Sequence, residues 1–297
     1  MHDLVPIVVA GIAQGVPIFV VASGLTLIYG VLHVLNFAHG GFFLIGALIV
    51  TSTLQGTSLA AFGLSVLLAG LGVMLVGVVS EVAVFRPLYK AGSTVSFLGA
   101  FALFLALVGV ALLVWGTNPR TVAYPEALNG SFEIGGARIG QYDLALVVVG
   151  GVIAAGLYLL LTRTSLGTRV RAVSHDRTMA LALGIRVQRV STSIFAIGAF
   201  LAGVAGALIA PVSSIDESLA LSSDYMLPAF IVIIVGGLGS VPGALIAALA
   251  LGVLESALFR LAPSLSGFSY YLVVAVFLMF RPQGIFGSPS RSTQMAR

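Results

Sequence analysis

Apolar runs recur along the whole chain, at about 5–32, 40–54, 58–85, 94–116, 143–162, 191–212, 225–236, 243–259 and 267–280, and none carries more than one charged residue. A helix needs about 20 predominantly apolar residues to cross the hydrocarbon core of a bilayer. Runs of that kind, repeated from one end to the other, predict an all-α polytopic membrane protein. Composition agrees. Only 8% of the 297 residues are charged and 59% are hydrophobic, whereas a soluble globular chain carries about 25% charged residues. So few charges cannot cover a water-facing surface. About eight to ten crossings fit the length, and the runs count to nine. Two of them, 40–54 and 225–236, are short enough to be tilted, broken or re-entrant. No soluble domain is visible, so residues 1–297 read as a single transmembrane domain. The first run reads as a retained helix and not as a cleaved signal, since His2 and Asp3 stand where a basic stretch would be needed.

Charges outside the runs orient the chain. Arg86 and Lys90 occupy the connection at 86–92. Arg163, Arg169, Arg171, Arg177, Arg186 and Arg189 fill 163–190 against Asp176 alone, and Arg281, Arg291 and Arg297 lie in the tail. Residues 213–224 hold Asp216, Glu217 and Asp224 without a base, and 117–142 is mixed. Lys and Arg stay on the cytoplasmic side of a membrane. Threading nine crossings puts all three basic regions inside, with the N-terminus outside and the C-terminus cytoplasmic. Arg260 falls on the outer side, against the bias. Trp115 and Tyr124 then sit in the outer interfacial belt, where aromatic side chains anchor.

The residue types narrow the chemistry. Without cysteine there are no disulfides, thiolate nucleophiles or thiolate metal sites. Lys90 is the only lysine and follows Arg86-Pro-Leu-Tyr. The chain therefore has no Walker A loop with its lysine and is not itself a P-loop ATPase. His33 and His39 stand six apart, the wrong spacing for one helical face, which argues against a metal site. The basic residues sit in loops and not on a soluble face, which argues against nucleic acid. Glu81 and Glu255 lie near run ends, where pairing or snorkelling explains an ionisable group as well as function does. They form no obvious carboxylate pair, so a non-catalytic chain without a cofactor is expected. Small residues recur four apart at Gly11 and Gly15, Ala199 and Gly203, Ala202 and Gly206, and Ala248 and Gly252. That spacing lets helix backbones approach closely in lipid.

The segment 163–190 is more than a charged loop. Ser174 is a good N-cap, and Asp176 in the first turn would suit the helix dipole. Met179, Ala180 and Leu183 supply an apolar stripe at helical spacing, and Gly184 can end the helix in the left-handed conformation. The pattern predicts a short helix at about 175–183, outside the bilayer. A helix this short is not stable alone, so it must pack on the membrane domain or on a partner.

Two further segments, Asn36-Phe-Ala-His-Gly-Gly41 and Gly236-Gly-Leu-Gly-Ser-Val-Pro-Gly243, interrupt apolar sequence near the cytoplasmic side. Backbone that leaves the helix at membrane depth is buried in protein or lines a cavity. Asn36, His39, Gly236, Gly237 and Gly239 are therefore candidates for a translocation path or gate. A helix cap at Asn36 with His39 at the interface, and a tight turn at the glycines, account for the same residues structurally.

Several motifs resemble one family. They are Gly24-Leu-Thr-Leu-Ile-Tyr-Gly30 with Asn36-Phe-Ala-His-Gly40; Arg86-Pro-Leu; Thr168-Arg-Val-Arg171-Ala-Val-Ser-His-Asp176 with Ala180 and Leu183-Gly184-Ile185; Gly236 to Gly243; and Arg281-Pro-Gln-Gly-Ile-Phe-Gly287. In this order they resemble the branched-chain amino-acid permeases of bacterial ABC importers, the LivH/LivM type, and the LivH half more closely. Gly41 departs from the family, which often carries a polar or acidic residue there. The resemblance implies a multi-pass permease subunit of an ATP-driven importer in the bacterial inner membrane. Its partners would be a second permease, alike or related, two cytoplasmic ATP-binding subunits and an extracytoplasmic substrate-binding protein. The same resemblance makes the 163–190 helix a coupling helix seated on an ATP-binding subunit, with Arg171, Asp176, Ala180 and Gly184 in the docking region. The substrate would be a branched-chain or related amino acid. The competing expectation is a self-sufficient ion-coupled carrier or channel for a small polar solute such as urea or an amide.

Overall fold

A computed structural model describes residues 4–89, 91–134, 137–216, 219–265, 269–281 and 284–286. His2, Asp3, Lys90, Glu217, Arg291 and Arg297 lie outside the described residues, as do 282–283 and 287 of the last motif and the side chain of Asp224.

Each of the nine apolar runs folds as a helix. In chain order they are α1 (Leu4–Leu32), α2 (Ala38–Thr53), α3 (Leu59–Ser80), α5 (Ser93–Trp115), α6 (Gln141–Arg163), α9 (Val187–Ile209), α10 (Leu219–Gly236), α11 (Val241–Leu261) and α12 (Ser269–Phe280). The helix α3 continues through a π-turn (Glu81–Phe85) into a last turn, α4 (Arg86–Leu88). Six of these helices are long and apolar enough to cross a membrane: α1, α3 with its continuation, α5, α6, α9 and α11. The apolar parts of α2, α10 and α12 are shorter. At 1.5 Å per residue, the 16 residues of α2 span only about 24 Å, less than the roughly 30 Å hydrocarbon core. Nearly all of α2 is buried, from Ala38 through Leu48. Its neighbours enclose it, which suits an apolar helix too short to meet both interfaces.

The centre of the molecule is α1, α2 and α9 in mutual contact. Around them α3 packs on α9 and α2, α11 and α6 pack on α1, and α5 packs on α2. The small residues are the reason these helices come so close. Gly11 and Gly15 of α1 lie against Ala248 and Gly252 of α11, backbone on backbone. Two adjacent stripes of α9 serve two neighbours. Ala199 and Gly203 meet α3 at Gly77, Ala69 and Val73, while Gly203 also meets α2 at Gly46 and Gly206 meets it at Phe43 and Ala47. Apolar side chains such as Leu64, Leu75, Val148, Val152 and Leu113 project outward from α3, α6 and α5. An apolar belt of this extent is what a bilayer or another membrane subunit covers.

The connections depart from expectation in two places. In 117–142 a 3-10 turn (Glu126–Leu128) is followed by a hairpin of β1 (Ser131–Ile134) and β2 (Ala137–Gly140), with Phe132 opposite Ile139 and Glu133 opposite Arg138. In 163–190 there are two helices, α7 (Ser165–His175) and α8 (Arg177–Ala182), where one was expected. Ser174 is not the cap. It lies inside α7, and Asp176 is the N-cap of α8, its carboxylate accepting from the N–H groups of Thr178 and Met179 at 2.9 Å. A carboxylate reaches two of the free N–H groups at a helix start, which a serine hydroxyl two residues earlier cannot do here.

Candidate functional site

The most distinctive local structure is the pair α7–α8. Thr164 opens α7 by accepting from Gly167 N–H at 3.1 Å. The helix buries Gly167, Val170 and Val173 on one face and leaves Arg169 and Arg171 on the other. The Arg171 guanidinium folds back and donates to the carbonyl of Leu161 and to Thr168 Oγ1, so it closes the open carbonyl end of α6. Next, α8 ends as Gly184 turns left-handed at φ +78°. Ile185 N–H then donates to the Ala180 carbonyl and Gly184 N–H to the Leu181 carbonyl, both at 3.0 Å. Ala180 is the buried residue of α8. Met179, Leu181 and Leu183 are 57%, 56% and 72% exposed. The apolar stripe is thus divided: Ala180 seats the helix on the protein, and three large side chains face away from it. Of the four docking candidates, Asp176, Ala180 and Gly184 shape α8, while Arg171 belongs to the α6–α7 corner. Met179 belongs to the expected stripe and Leu181 does not, and both side chains are exposed. Both are marked by sitting on a six-residue helix that has no other use for them.

A polar cluster ties the C-terminal end of α3 to α9. Glu81, at the π-turn, is 1% exposed. Its Oε2 accepts from Arg86 Nη2 and from Thr192 Oγ1, each at 2.9 Å, and Arg86 Nη2 lies 2.9 Å from the same threonine oxygen. The π-turn makes this possible by advancing the helix an extra residue, so Glu81 and Arg86 fall on one face five positions apart. Pairing is therefore what the structure shows for Glu81.

Asn36 and His39 sit at the start of α2. Asn36 is 1% exposed, and its Oδ1 accepts from Ala38 N–H at 3.1 Å. His39 was expected at the interface but is wholly buried, its ring against Gly24 of α1, which also touches Gly198 of α9. A side chain at Gly24 would collide with that ring at 2.8 Å. At Gly41 a Cβ would meet Leu107 at 2.9 Å, so α5 occupies the space that a polar residue would need. Gly236, Gly237 and Gly239 form the turn from α10 into α11. Gly237 and Gly239 have φ of +102° and +86°, and Ser240 caps α11 by accepting from Gly243 N–H at 3.1 Å. Residues far apart in sequence meet there: Ile285 N–H donates to Val235 and Phe286 N–H to Gly236, while Gly30 lies against Gly239.

Three cavities flank these elements. One of about 470 Å³ is bordered by Gln14, Asp143, Asp216, Tyr225, Glu255 and Tyr270, at the ends of the helices that the charge pattern puts outside. A second, of about 700 Å³, lies at the other end between α1, α6, α7 and the 239–242 turn, with Arg171, His175 and Gly239 on its wall. A third, of about 360 Å³, lies between α7 and α9. Asn36 and His39 border none of the three.

Comparison with known proteins places this architecture. The family described as the branched-chain amino acid transport system / permease component matches residues 7–280. The chain is 30% identical to the high-affinity branched-chain amino acid transport system permease protein BraD of Pseudomonas aeruginosa, over 95% of each chain. It is 28% identical to the permease protein LivH of Escherichia coli, over 94% of each. It is 29% identical to a probable branched-chain amino acid transport permease, LivH, of Methanocaldococcus jannaschii, over 90% of this chain and 87% of that one.

Proposed function

Because the chain belongs to the permease-component family of branched-chain amino acid transport systems, we propose that it is the membrane subunit of an ATP-driven importer for branched-chain or related amino acids in the bacterial inner membrane. The match over residues 7–280 carries this reading. Nine helices cross the membrane, with the N-terminus outside and the C-terminus in the cytoplasm. The short helices α2, α10 and α12 cross in the company of longer ones. A second permease, alike or related, covers part of the outer apolar belt. Two ATP-binding subunits dock below, and an extracytoplasmic binding protein delivers substrate from outside.

In this reading α8 is the coupling helix, and Met179, Leu181 and Leu183 are the side chains that meet the ATP-binding subunit. Ala180, Asp176 and Gly184 hold α8 in the shape that presents them. Only two residues separate Gly184 from α9, so a displacement of α8 passes directly to a central helix. The Glu81–Arg86–Thr192 cluster then links α9 to the end of α3. ATP drives the cycle through the difference in contacts that the ATP-binding subunits make with the two states of the permease. An amino-acid zwitterion needs carbonyls or acids for its ammonium group, helix N-termini for its carboxylate and apolar surface for its side chain. The acid-bordered outer cavity suits the first of these. Asn36 and His39 act by fixing the start of α2, and the 236–239 glycines by the turn that joins α10 to α11.

The test is gentle extraction from native membranes, identification of the proteins that co-purify, and reconstitution of the assembly into liposomes. Leucine or valine uptake that needs ATP inside and the binding protein outside supports the importer. Uptake by this chain alone, without ATP, would replace it with a self-sufficient carrier.

A further inference from the structure

The third cavity lies beside α8, where Leu183 and Gly184 border it, and its arginines have no role in the transport reading. It is bordered by Arg169 of α7, Arg186 and Arg189 at the start of α9, and the apolar Leu166, Ile185 and Val190. No carboxylate of the described residues borders it. Among the described residues none of the three guanidiniums has an ion pair or a side-chain hydrogen bond. Two of the arginines also stand at the unfavourable end of a helix. Arg186 is the N-cap of α9, makes no side-chain capping bond, and is followed by Arg189 in the first turn. A helix start carries partial positive charge and favours anions. Three like charges and a helix start without a side-chain cap therefore converge on one cavity, with no ion pair among the described residues to offset them. Retention of basic residues in the cytoplasm explains why arginines fill this connection. It does not explain why three of them share one cavity with Leu166, Leu183, Ile185 and Val190, closed by Gly184 and Ser193.

We propose that this cavity holds the headgroup of an anionic phospholipid, with Arg169, Arg186 and Arg189 on its phosphate and Leu166, Ile185 and Val190 against its glycerol and first methylenes. The proposal rests on the orientation argued above, which puts this end of α9 at the cytoplasmic leaflet. Guanidinium groups bind phosphate oxygens in pairs, and basic pockets at the inner ends of membrane helices take anionic headgroups. Charge beside apolar wall matches an amphiphile better than a free anion. The cavity lies beside the start of α9, whose candidate membrane span is Val187–Ile209, so the proposed orientation puts it next to the inner headgroups. Its volume of about 360 Å³ falls within the roughly 300–1,000 Å³ of small-ligand sites.

The experiment uses the full chain, purified in mild detergent, with retained phospholipids counted by mass spectrometry and thermal unfolding compared in nanodiscs of phosphatidylcholine with and without phosphatidylglycerol. The unmodified chain is expected to retain anionic phospholipid and to unfold at higher temperature when phosphatidylglycerol is present. The combined variant Arg169→Gln, Arg186→Gln, Arg189→Gln is expected to lose about tenfold or more of the retained anionic lipid, and the thermal shift with it. Arg260→Gln, at the other end of the molecule, is expected to keep both. Equal retention by the triple variant overturns the proposal, and so does an equal loss in Arg260→Gln, which would mean bulk charge alone. A thermal shift of the same size from inorganic phosphate would assign the cavity to a soluble anion instead. Unchanged lipid with lost co-purification of an ATP-binding subunit would make it a protein contact. If the triple variant does not fold, Arg186→Lys keeps the charge without the planar fork. It is expected to retain less lipid, and full retention there also overturns the proposal. None of these readouts needs transport, so they stand or fall apart from the importer reading.

Discussion

Glu81 and Arg86 are unequal partners. The carboxylate is 1% exposed, whereas the guanidinium keeps 36% of its side chain in reach of solvent. Removing the arginine strands a buried charge, which costs about 3–5 kcal/mol. Replacing the glutamate by glutamine leaves a cation that water and Thr192 still solvate, at about 1–3 kcal/mol. Arg86→Ala is therefore expected to lower the unfolding temperature in detergent clearly more than Glu81→Gln. The reverse order would mean that the pair is not the main interaction at this site. His39 gives a second residue-scale test. Read as an interfacial cap, its replacement by alanine would be mild. Buried against Gly24, the ring fills space that alanine leaves empty, at about 2–4 kcal/mol. Thermal unfolding of His39→Ala decides between the two. Neither outcome could be foreseen from residue type, because a lone histidine at a helix start looks the same in sequence whether its ring points to water or inward.

At the scale of elements, α8 separates shape from contact. Asp176→Ala removes the cap and costs about 1 kcal/mol. That loss falls on a six-residue helix with little stability of its own, so amide exchange in 177–184 should rise while the rest of the protein keeps its protection. Leu183→Asp changes a side chain that touches little of this protein. It is expected to leave the unfolding temperature unchanged and to reduce the amount of ATP-binding subunit that co-purifies. Full co-purification would remove α8 as the docking element. The sequence showed that a capped helix lies here and where it ends, since an acid cap and a left-handed glycine are local signals. It hid α7 because Leu166, Val170 and Val173 are diluted by arginines, and it assigned the cap to Ser174 because both residues are good caps. It also could not say which of Met179, Ala180 and Leu183 faces inward, which depends on how α8 meets α7 and α9.

For the whole molecule, the close helix crossings are the most exposed part of the argument. A side chain at Gly206 would run into the backbone of α2, and one at Gly252 into the backbone of α1, whereas Gly63 and Gly109 face open space. Gly206→Val and Gly252→Val are expected to aggregate on size-exclusion chromatography, and Gly63→Val and Gly109→Val to elute like the unmodified chain. Uniform tolerance would show that the helices are held apart more loosely than described. By itself the sequence determined that this is a membrane protein, that nine apolar runs become helices, and that a short helix stands outside them. Hydropathy sets the solvent and hydrogen-bond closure sets the helix, and both act along the chain. Only the tertiary structure decided which helices are central, that His39 is buried, that Glu81 pairs with Arg86 and Thr192, and that three arginines share a cavity. The reason is that lipid and protein interior are equally apolar, so a membrane helix needs no amphipathic stripe to mark its buried face. What remains to choose that face is the fit of small residues and the few polar groups that must find partners, and those are settled between helices and not along them.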